Sequence, residues 1–82
     1  MRLSEKEITE IERRCDASTP GPWKSFVEGR DHTSGDSFIA TAGDDIYLLG
    51  ATSADQDFIA TARQNIPTLI AEIRRLTKFG AG

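Results

Sequence analysis

Trp23 and Lys24 are adjacent, and Trp23 is the only tryptophan in the chain. An outward-facing indole stacks on a nucleobase, and an ammonium beside it meets a phosphate. Tyr47 is a second ring that suits a base. Arg63 precedes Gln64-Asn65, where a helix is expected to start, so free amides there would help its guanidinium hold an anion. Arg30, in a loop-like stretch, is a weaker candidate of the same kind. Each has a plain structural reading as well: Trp23 as a plug between a sheet and the first helix, Arg63 as a surface cap. The pairs Arg13-Arg14 and Arg74-Arg75 are explained most simply by helix dipoles.

Signatures of catalysis are sparse. His32 is the only histidine and Cys15 the only cysteine, so neither has a partner at metal-ligand or nucleophile–base spacing. A turn histidine and an inert thiol on an apolar helix face are the expected readings. Asp44-Asp45 beside Gly43 reads as hairpin chemistry. The glycines form neither a dinucleotide fingerprint nor a phosphate-binding P-loop. No enzymatic activity, cofactor or metal is expected.

The elements that must position these residues follow from periodicity. Ser4 and Glu7 have capping-box spacing, and Ile8, Ile11 and Cys15 share one face, predicting a helix over about residues 5–16. Thr19-Pro20-Gly21-Pro22 ends it. Three short strand-like runs follow, beginning near Trp23, Ser37 and Asp45 and separated by turn residues. Ser53 and Gln56 repeat the capping spacing ahead of a long helical pattern. Pro67, with Asn65 as a cap, predicts a break near 63–65; a continuous kinked helix is the alternative. The expected fold is α+β in the order α-β-β-β-α-α, a three-stranded antiparallel meander with helices packed against it. Its core would hold Ile8, Ile11, Trp23, Phe38, Ile46, Leu48, Phe58, Ile59, Ala62, Leu69, Ile70 and Ile73.

Composition bounds the function. The chain has 82 residues, 10 Lys+Arg against 13 Asp+Glu, and a net charge of −3. This predicts one domain over 1–82, divided into an N-terminal helix (1–18), a β-meander (19–52), C-terminal helices (53–79) and a tail (80–82). The acidic balance makes nucleic acid an unlikely partner. A single cysteine excludes an internal disulfide, and no apolar run approaches the ~20 residues of a membrane span. The opening MRLSEKEITE is too acidic for a signal peptide, so a cytoplasmic location is expected.

Two separated segments carry a family resemblance. Ala17-Ser18-Thr19-Pro20-Gly21-Pro22-Trp23 resembles the ATPGPW element of small phage and prophage accessory proteins, the Ead-like group among them. Asp57-Phe58-Ile59-Ala60-Thr61-Ala62-Arg63-Gln64-Asn65-Ile66-Pro67-Thr68-Leu69-Ile70-Ala71-Glu72-Ile73 is similar to their D-x-FIAxAR-x-xxPxLLAEL ending. Together they cover 24 of the 82 residues and bracket most of the chain. Ser18 stands where Ala is usual, and the middle is shorter than in many relatives.

Most members of that group have no assigned activity, so the resemblance implies context: a protein that handles the host, not one that builds virions. Two functions fit at the level of class. One is a sponge that sequesters a small nucleotide immune signal without turnover, with Trp23, Lys24, Arg30, Tyr47 and Arg63 as ligand-binding candidates. The other is an inhibitor that blocks a CRISPR or restriction effector by direct contact; a regulatory interaction module is a third. The apolar run Ile46–Leu49 looks covered on both faces, so a homo-oligomer is expected, most simply a two-fold dimer.

Overall fold

The computed structural model describes residues 3–80, with side chains through Lys78. Helix α1 (Glu5–Ala17) starts on the capping box: Ser4 Oγ accepts from the Glu7 amide, and the Glu7 carboxylate accepts from the Ser4 amide. It ends at Ser18, whose extended backbone leads into the Pro-Gly-Pro segment. Strands β1 (Lys24–Phe26) and β2 (Phe38–Ala40) pair antiparallel, with Lys24 opposite Ala40 and Phe26 opposite Phe38. Helix α2 (Ser53–Gly80) is one continuous helix of 28 residues.

The sheet therefore has two strands, not the three of the expected meander. The third run keeps one contact with it: Ile46 exchanges both backbone hydrogen bonds with Ile39, at 2.9 Å each. Toward the turn, side-chain bonds replace the ladder to the third run, and on the β1 side the backbone contact ends at Pro20. The Ala42 amide donates to the Pro20 carbonyl, and Thr41 Oγ1 holds the turn by accepting from the Gly43 amide and donating to the Asp44 carbonyl. Beyond Leu48 the chain turns at Gly50, whose φ of +80° suits a residue without Cβ.

Two helices replace the expected three, because Pro67 does not divide α2. A proline inside a helix costs about 3 kcal/mol. Packing on both sides of it outweighs that cost, with Ala60 buried before it and Ile70 buried after it. Asn65 lies within the helix and caps nothing. The true cap is one residue earlier than expected: Thr52 Oγ1 accepts from the Asp55 amide, and Asp55 Oδ2 accepts from the Thr52 amide. Gly80 is the last residue of α2, not the start of a tail; Ala81 and Gly82 lie outside the described residues.

Ile39 is fully buried on the sheet face that α2 covers, where Val27 and Ala60 are also buried, while Ile8 of α1 and Ile70 of α2 are buried where the two helices pack. Ser25, Val27 and Ile39 belong to the side of the sheet that α2 covers, through Gln56 and Ala60. α1 runs antiparallel to α2: Ser18 meets Arg63, while Glu12 and Glu5 meet Arg74. Phe58, Ile59, Leu69 and Ile73, expected in the core, are exposed instead. Among the described residues, no helix is long and apolar enough to cross a membrane.

Candidate functional site on the outer face of the sheet

Alternation in two short strands places Lys24 and Phe26 on the face opposite Ser25, with Phe38 and Ala40 across from them. Among the described residues, no helix covers this outer face. The Phe26 and Phe38 rings stack across the strands, centroids 5.2 Å apart and 16° from parallel. The Ile39–Ile46 bridge sets Tyr47 opposite Phe38, 6.0 Å away and tilted by 42°. Lys24 Nζ lies 5.1 Å from the Phe26 centroid, so a cation closes one end of the row. Tyr47, 61% exposed, ends the other.

The loop between the strands braces this row. Its His32 ring packs on Phe38 at 5.6 Å, and His32 Nδ1 meets the Ser34 carbonyl at 2.7 Å. Asp31 Oδ2 accepts from the Val27 amide and Ser37 Oγ from the Glu28 amide, which ties both loop ends to the sheet. Beside Tyr47 lies an open cleft of about 390 Å³, lined by Asp36, Ser37, Tyr47, Leu48, Leu49 and Gly50. A second hollow of about 520 Å³ continues from Leu48–Ala51 onto Asp55, Phe58 and Ile59 of α2.

The five sequence candidates separate into three places. Trp23 and Arg63 come together, yet as a structural joint. The indole Nε1 donates to the Thr19 carbonyl at 2.8 Å, and the Trp23 amide donates to Gln64 Oε1 at 3.0 Å. The Arg63 guanidinium lies 5.9 Å from the indole centroid, and its Nε donates to Ser18 Oγ at 2.8 Å. Because α2 is continuous, no free helix-start amides lie beside Arg63, and the reason for expecting an anion there is gone. The joint leaves little slack: a Cβ on Gly21 would stand 3.0 Å from Gln64 Oε1.

Arg30 is also engaged. Its guanidinium bridges Asp31 and Asp57, donating to Asp57 Oδ2 at 2.8 Å and Asp57 Oδ1 at 3.0 Å. The bond from Arg30, with that from the Ser25 hydroxyl, holds the Asp57 carboxyl down to about 2. Asp31 is lowered by Arg30 first and by the Val27 amide second. The arginine is raised in turn, chiefly by Asp57 and then by Asp31. Only Lys24 and Tyr47 remain on one surface, joined by two phenylalanines that sequence reasoning did not assign to a site. The available signal was the placement of Phe26 and Phe38 in strands that alternate in step.

Among the described residues, no group of three His, Cys, Asp or Glu side chains is placed to hold a metal ion. In comparisons with known proteins, no family model, curated protein or solved structure matches this chain.

Proposed function

We propose that this protein binds a small nucleotide without turning it over, as a phage-type sponge acting in the bacterial cytoplasm. The observation that carries this reading is the aromatic row that ends in the exposed ring of Tyr47. Rings that stack across a sheet turn their edges to solvent and cover one another's faces, so a base extends such a row only at its open end. Tyr47 is that end, and it borders the 390 Å³ cleft, a volume within the ~300–1,000 Å³ of small-ligand sites. Lys24 stands at the opposite end of the row, two phenylalanine rings away from Tyr47, so its charge reaches a phosphate there only through the potential of the face and not by contact. The resemblance of the Pro-Gly-Pro-Trp and FIATAR segments to phage accessory proteins supports the biological setting, although those segments build the joint and not the binding face.

Titration calorimetry against cyclic and linear nucleotides tests the reading. Stacking is worth about 1–3 kcal/mol per base, so Tyr47→Ala is expected to weaken binding roughly 5- to 150-fold, with Tyr47→Phe close to the parent. Lys24→Gln is expected to weaken phosphate-bearing ligands only slightly at low ionic strength, and not at all in molar salt. Absence of heat and of any melting shift across the panel overturns the proposal and favours an inhibitor that works by protein contact.

A further inference from the structure

Helix α2 carries more apolar surface than its own fold covers. Gln56, Ala60, Ile70 and Arg74 define the side that meets the sheet and α1. A second apolar stripe lies about a quarter-turn away. Ile59, Ile66 and Ile73 recur every seven residues, and Ala62, Leu69 and Leu76 follow each of them by three. This is heptad spacing, with isoleucine at every a position and alanine or leucine at d. β-branched a residues with leucine at d favour two parallel strands over larger assemblies. Leu69 and Leu76 remain 57% and 55% exposed, and Ile59 and Ile73 nearly 40%, with Ile59 at 39% and Ile73 at 38%.

We infer that two copies of this chain pair through that stripe, forming a parallel two-fold dimer about the α2 helices. Surface area supports a partner of this size. The chain exposes 6164 Å², whereas a compact monomer of its mass exposes about 4,900 Å². The excess, roughly 1,300 Å² per chain, exceeds the ~800 Å² that each partner buries in a standard interface. The radius of gyration, 15.8 Å, is likewise above the ~12 Å of a compact domain of this length.

The flanks of the stripe admit a second copy. Parallel pairing sets g against the following e of the partner helix. Here Glu72 faces Thr77, while the e residues Arg63 and Ile70 are already engaged within their own chain, so no like charges are opposed. Pro67 occupies a b position, off the seam. The second hollow beside Leu49 and Phe58 continues the apolar surface at the N-terminal end of the stripe. The third strand-like run, where an interface is expected from sequence, also exposes Tyr47 and Leu49; the stripe on α2 is a second exposed apolar surface.

Light scattering on the full chain tests the pairing. The expected mass is twice the 9.0 kDa of one chain, and a monomer, trimer or tetramer at high micromolar concentration overturns it. The double variant Leu69→Asp/Leu76→Asp is expected to halve the mass while keeping a helical circular dichroism spectrum. Retention of the parent mass overturns the assigned seam. A variant that changes one seam residue without adding charge resolves the case in which the double variant unfolds: Cys15→Ser/Leu76→Cys, oxidised with glutathione disulfide. Parallel two-fold pairing brings the new thiols together and yields a covalent dimer, whereas Cys15→Ser/Lys78→Cys, off the seam, stays uncrosslinked. Equal crosslinking of the two, or none at position 76, overturns the parallel arrangement.

Discussion

Ser18 Oγ accepts a hydrogen bond from Arg63 Nε at 2.8 Å while donating its own proton to the Cys15 carbonyl at 2.6 Å. One hydroxyl thus fastens the C-terminal end of α1 to the middle of α2, across 45 residues of sequence. The neighbouring Trp23 amide reaches Gln64 in the same way. The two segments that resemble phage accessory proteins are therefore two halves of one joint. Their common occurrence in a chain needs no shared ligand, because each supplies the hydrogen-bond partners of the other.

Arg63→Ala is expected to lower stability by about 1–2 kcal/mol, from the lost bond to Ser18 and the lost contact with the indole. Nucleotide binding at Tyr47 should be unaffected. Urea unfolding followed by Trp23 fluorescence measures the first, and calorimetry the second. Unchanged stability with weakened binding would return Arg63 to the ligand site.

Gln56 is 3% exposed, and its amide nitrogen lies 2.8 Å from Ser25 Oγ, 3.1 Å from the Phe26 carbonyl and 3.0 Å from the Phe38 carbonyl. One side chain thereby holds α2 to both strands. Gln56→Leu keeps the volume but leaves two partly buried carbonyls without this donor, an expected loss of about 1–3 kcal/mol. Gln56→Glu is expected to be worse at neutral pH, since a carboxylate there faces two carbonyls and a hydroxyl whose proton Asp57 already takes. Thermal melts that rank the parent above Leu and Leu above Glu would bear this out.

The local signals in the sequence were good guides wherever backbone chemistry alone decided the outcome. Ser4 and Glu7 form their capping box, and Pro20-Gly21-Pro22 follows the end of α1. Signals that depended on tertiary choices misled. Pro67 reads as a boundary until burial of Ala60 and Ile70 is weighed against it. Ile46–Leu49 reads as a strand, but only Ile46 bonds to the sheet and the chain turns away at Gly50. Gln56 looks like a capping residue, and nothing local announces its role as a buried link between helix and sheet. At the site, Tyr47 and Lys24 were legible as residue types. Their connection through Phe26 and Phe38 required the register of the strands.

Arg74 links the far end of α2 to α1, donating to Glu12 Oε1 at 2.7 Å, to Glu5 Oε1 at 3.0 Å and to Thr9 Oγ1 at 3.2 Å. These groups are partly exposed, so salt screens them. Arg74→Gln is expected to lower the melting temperature by a few degrees at low ionic strength. The difference should shrink in molar salt. A deficit independent of salt would mean that packing of the arginine stem, and not its charge, carries the contact.

Asp57 gives the fold an acid limit. Its carboxyl is held down to about 2 by Arg30 and the Ser25 hydroxyl, against about 3.9 in an unfolded chain. A carboxyl depressed by folding contributes fully above its unfolded value, and that contribution is lost as pH falls through the folded value. The window therefore runs from about pH 4 down to about pH 2, and Arg30 stays charged throughout it. Asp31, lowered by the same guanidinium, steepens the loss in that range. Melting curves of the parent and of Asp57→Asn should differ by a constant amount from neutral pH to about pH 5, then converge as the parent carboxyl takes up its proton. The pair is partly exposed, so the plateau difference should be modest and smaller in high salt. A difference that persists unchanged to about pH 2 would show that the Asp57 charge is not what Arg30 stabilises, and the asparagine would then act through its altered hydrogen bonding to Ser25 and Arg30 alone.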